Sequence, residues 1–437
     1  MKPIAPFGKA TPYDILYSAF KFGISTPFYL YDEGTIVQKC KEVCAMPHAF
    51  RLTVRYAMKA NSNKAMLQLI DRQGLHIDAS SLNEARRANR AGIPVGKILL
   101  TTQEVPLGKE REDLESAVRA GLHYNVCSLR QLELIADFAS QYRMPLSMRV
   151  HPSVGSGESS TRNTGDKYSC FGIHLTDLEK ALKFADSKGL KFERVHVHIG
   201  SGGDPEKWRE NIDRELGFVE RYFPDAKIIN FGGGLREARM PDEKAADIKD
   251  LGNYAKQKIE RFYKRTKRKL RMEIEPGTYI IANAGYLVTR VIDKKQTGEG
   301  GFRFLVLDGG MEVNTRPLLY GSRHPFYVIS EQGLLSSEWD MKDVKSKFVV
   351  VGRCCESGDA QTLDSEGHIL ERRMAEPEIG DAVVIGGAGA YCSAMSPFNY
   401  NSHTQVPEVL LRKDGRLQLI RKEQTLEQMT QNEIPAI

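Results

Sequence analysis

From about residue 50 the chain alternates short apolar runs, rich in Val, Ile and Leu, with stretches whose apolar residues recur every three or four positions. The runs predict strands at 54–59, 75–79, 98–102, 123–127, 146–151, 195–199, 228–231 and 270–274. The three- and four-residue spacing predicts helices at 64–73, 82–91, 112–120, 129–142, 175–188, 205–222 and 254–267. Eight strands joined by crossover helices, each strand apolar on both faces, predict an α/β fold closed into a parallel (β/α)8 barrel. An open doubly wound sheet is the competing arrangement. The strand count, and the polar residues that follow many strands, favour closure.

After about Tyr279 the texture changes. Strand-like runs at 286–292, 302–307, 326–329, 347–351, 382–385, 409–412 and 417–420 follow one another with little helix between them. Turn signals such as Gly298-Glu299-Gly300-Gly301 and Asp414-Gly415 separate them, which predicts an antiparallel β-barrel or sandwich domain. The early segment 26–32 also reads as a strand and is expected to pair into that domain. The expected organisation is an N-terminal segment 1–36 joining the β domain, a barrel at 37–280 and the β domain proper at 281–437.

Composition adds boundaries. At 437 residues the chain has room for a barrel and a second domain, and 41% hydrophobic with 27% charged residues is ordinary globular usage. No apolar run approaches the ~20 residues that span a bilayer, and Met1 to Phe20 contains no uninterrupted apolar segment of the secretory type. A net charge of +6 is a weak bias at this length, and the densest basic run, Lys264 to Lys269, closes a helical pattern. Nucleic-acid and membrane partners are therefore not expected. The seven cysteines are odd in number, two are adjacent, and none shows local metal-ligand spacing. That usage points to a reducing cytoplasm and no metal.

A barrel places its chemistry at the C-terminal ends of its strands. Lys59, in Arg55-Tyr56-Ala57-Met58-Lys59, reads either as an amine that partial burial primes for Schiff-base formation or as a buried ion pair or snorkelling side chain. Asp78 follows the second strand. Gly232-Gly233-Gly234, with Gly200-Ser201-Gly202-Gly203, offers two sets of backbone amides for an anion such as phosphate. His196 and His198 alternate along one predicted strand and so face one side, as a metal pair, as a ring against a planar ligand, or as core histidines. Glu275 could keep a ring nitrogen protonated or sit in a structural ion pair. Cys355, beside Glu356 and Asp359, suits proton donation and amine recognition, or is inert.

Taken together and in order, these residues resemble the fold-III pyridoxal-phosphate decarboxylases, the group that contains diaminopimelate, ornithine and arginine decarboxylases. The resemblance rests on Tyr56-Ala-Met-Lys-Ala-Asn61, His196-Val-His-Ile-Gly-Ser201, Phe231-Gly-Gly-Gly234, Glu275-Pro-Gly277, Cys355-Glu-Ser-Gly-Asp359 and Gly389-Ala-Tyr391. Thr164-Gly165, Phe171-Gly-Ile173, Arg316-Pro-Leu-Leu-Tyr320, Met395 and Tyr400-Asn401 are most similar to the diaminopimelate decarboxylases within that group. The resemblance implies pyridoxal 5'-phosphate as cofactor, with Lys59 bonded to its aldehyde and His198 against its ring. Glu275 would pair with the ring nitrogen, and Ser201, Gly232, Gly233, Gly234, Gly277 and Tyr391 would lie around the phosphate, with Asp78 also in the cofactor site. Cys355 would act at the reacting carbon, while Arg316, Tyr320, Glu356 and Tyr391 would recognise the substrate. It further implies decarboxylation of meso-diaminopimelate to L-lysine, or of a relative such as D-lysine, D-ornithine or a carboxylated polyamine precursor. The other reading it allows is a cofactor-binding homologue without catalysis. A homodimer with shared sites is also implied, Cys355 and Tyr391 reaching the partner's cofactor. The chain departs from the pattern at Thr278, where the family motif carries arginine, and at Ser402-His403-Thr404-Gln405, which lacks a usual Arg-Pro-Arg. Thr278 supplies no cation, so either another arginine, Arg353 or Arg323, replaces it or the substrate has no distal carboxylate.

Overall fold

The computed structural model describes residues 19, 23–155, 164–201, 203–338 and 346–436. Gly202 and, apart from Ala19, the 1–20 segment named above lie outside the described residues. The described chain forms two compact units. One comprises Val37–Glu237 and Lys244–Ile280; the other combines the segment up to Ile36, Ala238–Glu243 and Ile281–Ile437.

Strand β1 (Phe28–Asp32) is followed by a helix, Glu33–Cys44, that the strand-based reading passed over. Its apolar positions Ile36, Val37, Cys40 and Val43 are buried at three- and four-residue spacing. The first unit is then a closed parallel barrel of β2 (Leu52–Ala57), β3 (His76–Ala79), β4 (Ile98–Thr101), β5 (His123–Val126), β6 (Leu146–Arg149), β7 (Phe192–His196), β8 (Ile228–Asn230) and β9 (Arg271–Ile274). Closure is direct: Leu52, Thr53 and Val54 of β2 pair with Met272, Glu273 and Ile274 of β9. The helices start where short polar side chains cap them, Ser81 accepting from the Glu84 amide and Ser128 from the Gln131 amide.

The barrel interior is not wholly apolar. Glu273 accepts from Arg55 Nε at 2.9 Å and from Arg194 Nε at 2.8 Å, and Arg194 also donates to Ser147 Oγ at 2.8 Å. Burial opposes ionisation of Glu273, but the two guanidinium groups outweigh it and hold the carboxyl well below its ordinary range. The basic run near 264–269 also does more than face solvent. The helix Ile248–Thr266 ends on Lys267 in the left-handed region, and Arg268 turns back to donate to the Val219 carbonyl in the last turn of the preceding helix and to the Phe223 and Ala226 carbonyls just after it.

The second unit is one branched sheet. Its main path joins β13 (Leu335–Ser337), β12 (Phe326–Ile329), β16 (Ala382–Ile385), β10 (Gly285–Gln296), β1, β17 (Glu408–Leu411) and β18 (Leu417–Arg421). β11 (Arg303–Leu307), β14 (Ser346–Val351) and β15 (Arg372–Met374) branch from β10. The expected N-terminal strand is present, antiparallel to β10 and parallel to β17. The sheet is thus mostly, not wholly, antiparallel, since β11 and β14 also run parallel. One face buries Phe28, Leu30, Val288, Ile329, Val384 and Val409 together.

Candidate active site

At the barrel mouth Glu275 is the best-held group. Its Oε1 accepts from Asn230 Nδ2 at 2.6 Å and its Oε2 from His196 Nε2 at 2.9 Å. Asn230 is itself fixed, because its Oδ1 accepts from the Gly232 amide at 2.9 Å. Burial would raise the Glu275 carboxyl, yet His196 and Asn230 hold it below its ordinary value, so it is a carboxylate. Burial lowers His196, leaving a neutral ring whose Nε2–H donates a hydrogen bond to the Glu275 carboxylate. Of the readings the sequence leaves open for His196, the hydrogen-bonded core histidine is the one observed, and sequence reasoning misses Asn230, whose one signal is an amide just before a glycine run.

His198 does not share a strand with His196, contrary to the alternation read from the sequence. β7 ends at His196 because its partner β8 ends at Asn230, the residue with which His196 is in register. Beyond that point Val197 and Ile199 stay buried and mimic a strand, while His198 enters the loop. Its Nδ1 accepts from the Gly200 amide at 2.9 Å and lies 3.2 Å from Thr164 Oγ1. The ring proton therefore sits on Nε2. Desolvation, then the positive charges of Lys59 and Arg149, keep this ring neutral, well below the usual histidine range.

Lys59 also differs from expectation. β2 stops at Ala57, and Lys59 occupies a 3-10 turn, Met58–Ala60, with its side chain exposed. Its surroundings do carry charge: Lys59 acts electrostatically on Asp78, Glu84 and His198. Asp78 is buried, one oxygen has no hydrogen-bond partner, and burial followed by Glu275 raises its carboxyl well above the ordinary value.

The glycine run is dictated by close approach. A Cβ on Gly232, at φ +67°, would lie 2.4 Å from the Val197 carbonyl oxygen, and one on Gly234, at φ +86°, 2.9 Å from that of Gly200. A Cβ on Gly233 would stand 3.3 Å from His198 Nε2. Gly277 packs against Ala57 and Ala60, bringing the segment after β9 to the Lys59 turn. The two glycine loops thus adjoin, and Arg236 lies against Gly203. Ser201 is exposed beside them. The amides opening the next helix are not spare, however. Asp204 caps the helix Pro205–Tyr222 by accepting from the Glu206 and Lys207 amides. An anion here is left to the glycine loops. An exposed amine that acts electrostatically on a buried carboxylate and on a neutral ring, with glycine loops closed tightly against neighbouring backbone, forms a set that fits pyridoxal phosphate.

In the sheet unit the expected residues form two groups. Arg316, buried at the start of the helix Arg316–Tyr320, has its guanidinium carbon 5.7 Å from the Tyr320 ring centre and 5.8 Å from that of Tyr391. Tyr391 adopts φ +62°, unusual for a bulky residue, after Gly389, whose Cβ would strike the Ile281 carbonyl oxygen. In the second group Cys355 is exposed and its amide donates to Asn401 Oδ1 at 2.7 Å. Glu356 accepts from Tyr400 Oη at 3.2 Å. Buried Asp359 supports this loop, accepting from the Cys354 and Met311 amides. Arg353 pairs with Glu312, and Arg323 with Asp242, so both proposed replacements for a cation at Thr278 are already engaged.

The family model described as the pyridoxal-dependent decarboxylase, pyridoxal binding domain, matches residues 33–282. A diaminopimelate decarboxylase of Buchnera aphidicola subsp. Baizongia pistaciae is 32% identical over 429 residues, 97% of either chain. That of Escherichia coli (strain K12) is 33% identical over 383 residues, 86% of this chain and 87% of the other. Among solved structures, a diaminopimelate decarboxylase aligns with TM-score 0.86 at 29% identity, covering 98% of this chain and 99% of that one. The Helicobacter pylori enzyme complexed with L-lysine aligns with TM-score 0.77 at 28% identity, over 95% and 98%.

Proposed function

The chain belongs to the pyridoxal-dependent decarboxylases, and from that premise we propose that its barrel mouth removes the α-carboxylate of an amino acid. The observation that carries this reading is the fixed Glu275 carboxylate, held by His196 and Asn230 within reach of the same buried network as Asp78. When bound, pyridoxal phosphate supplies an electron sink for the charge left at Cα as carbon dioxide departs. In this reading Lys59 holds the cofactor's aldehyde carbon, and Glu275 keeps a proton on the ring nitrogen. His198, neutral and immobilised by Gly200 and Thr164, flanks the ring. The loop Gly232–Gly234, with Ser201, Gly277 and Tyr391, takes the phosphate, and Asp78 completes the cofactor site.

Cys355 would supply the proton that returns to Cα, and Lys59 would take back the aldehyde carbon as the product amine leaves. Arg316, Tyr320, Tyr391 and Glu356 recognise the substrate. We place Cys355 and Tyr391 in the site of a neighbouring chain, so the working unit is a homodimer. A cytoplasmic location is supported by seven cysteines that are all free.

The named relatives support meso-diaminopimelate as substrate and L-lysine as product. Thr278, with Arg353 and Arg323 already paired, favours a second reading in which the substrate lacks a distal carboxylate, as D-lysine and D-ornithine do. The test is carbon dioxide release by the holoenzyme from a panel of D-, L- and meso-amino acids. Turnover of meso-diaminopimelate alone supports the first reading, and turnover of D-lysine without it supports the second. Bound cofactor with no release from any member overturns both.

A further inference from the structure

One constellation in the sheet unit has no part in the chemistry above. Glu312, Cys354 and His403 are distant in sequence, yet their carboxylate oxygen, thiol sulfur and imidazole nitrogen lie within 4.8 Å of one another. Local spacing could not reveal the group, because each residue comes from a different loop. Glu312 is buried, accepts from the Gly310 amide at 2.8 Å through Oε2, and receives the Cys354 thiol on the same oxygen at 3.3 Å. Its Oε1 is 3.3 Å from Arg353 Nε. The half-buried His403 ring has no hydrogen-bond partner among the described residues. Glu312 and His403 also line one small cavity with Tyr29 and Asn399.

We propose that Glu312, Cys354 and His403 form a zinc site. A thiolate, an imidazole and a carboxylate are the donor set of a borderline-soft divalent ion and not of magnesium or calcium. On binding, the Cys354 S–H bond breaks and its proton passes to water, sulfur–metal, nitrogen–metal and oxygen–metal bonds form, and no electron is transferred. Three protein ligands leave the fourth tetrahedral position to water. The ion would tie the loop of Cys354 to the loop of His403. Those loops already meet through the Cys355 amide on Asn401 and the Tyr400 hydroxyl on Glu356. Zinc would therefore brace the segment that presents Cys355.

The test uses the full chain with pyridoxal phosphate bound and no polyhistidine tag. Protein equilibrated with zinc chloride and then dialysed against metal-free buffer is assayed for zinc by mass spectrometry. One zinc per chain is expected in the parent and in Cys355→Ser, and none in Cys354→Ser or His403→Gln. Circular dichroism of the zinc-free variants checks that each is folded. His403→Gln, a change at a half-exposed ring, keeps the test decisive if Cys354→Ser does not fold. A parent that retains no zinc, or zinc that survives both Cys354→Ser and His403→Gln, overturns the assignment.

Discussion

Replacing Asn230 by alanine probes the centre of the barrel site. The side chain donates to Glu275 at 2.6 Å and to Glu273 at 3.3 Å, and accepts from the Gly232 amide at 2.9 Å, all out of contact with solvent. A hydrogen bond to a charged group contributes about 1.5–3 kcal/mol, and a buried amide left without an acceptor costs about 1–3 kcal/mol. Asn230→Ala should therefore destabilise the barrel by about 3–5 kcal/mol, a fall in Tm of about 6 °C or more. It should also loosen the Gly232 turn and weaken retention of pyridoxal phosphate on dialysis. Asn230→Asp separates the parts of the argument. It can still accept from Gly232, but it sets a third carboxylate between Glu273 and Glu275, so its Tm deficit should shrink as pH falls. Scanning calorimetry of the apoproteins, with cofactor content by absorbance, reads both. An Asn230→Ala protein that melts within about 2 °C of the parent and keeps its cofactor would refute the role assigned to this side chain.

Further outcomes follow from single contacts. Asp78 has a raised carboxyl in the folded chain, so its ionised form opposes folding above the unfolded value of about 3.9. Asp78→Asn should hold or raise Tm near pH 7, with the gain vanishing below that value; a loss at pH 7 that persists in acid would contradict the sign. Gly232→Ala puts a Cβ 2.4 Å from a backbone oxygen, so the variant should lose cofactor retention by equilibrium dialysis, and normal retention would show that the turn is pliable. Arg268→Ala removes donors to carbonyls of the preceding helix end and should cost about 1–2 kcal/mol, whereas Lys264→Ala in the same run should stay within about 0.5 kcal/mol in urea melts.

The barrel was legible because its strands, buried on both faces, are apolar runs separated by amphipathic helices. Strand ends were less so, because pairing sets them and apolar texture does not. Val197 and Ile199 continue the pattern of β7, but β8 is only three residues long and offers His198 no partner. Lys59 likewise leaves β2 where Ala57 makes the last pairing with Asp78. Edge strands β13 and β15 escaped notice because Leu335–Ser337 and Arg372–Met374 are short and polar, without alternation. Arg372 is held there by Glu338, a long-range pair that no local pattern encodes. The candidate residues were visible through type and position, Glu275 after an apolar strand and glycines after another. What holds them, His196 and Asn230 on Glu275 or Gly200 on His198, arises only when neighbouring strands and loops meet.

The central claim is that the barrel mouth is the pyridoxal phosphate site with Lys59 as its amine. The most direct measurement is reduction of the loaded protein with borohydride, digestion and peptide mapping by mass spectrometry. The account predicts a pyridoxyl group on the peptide containing Lys59, and its disappearance in Lys59→Ala. A label on another lysine, or a labelled Lys59→Ala chain of equal stoichiometry, would contradict it.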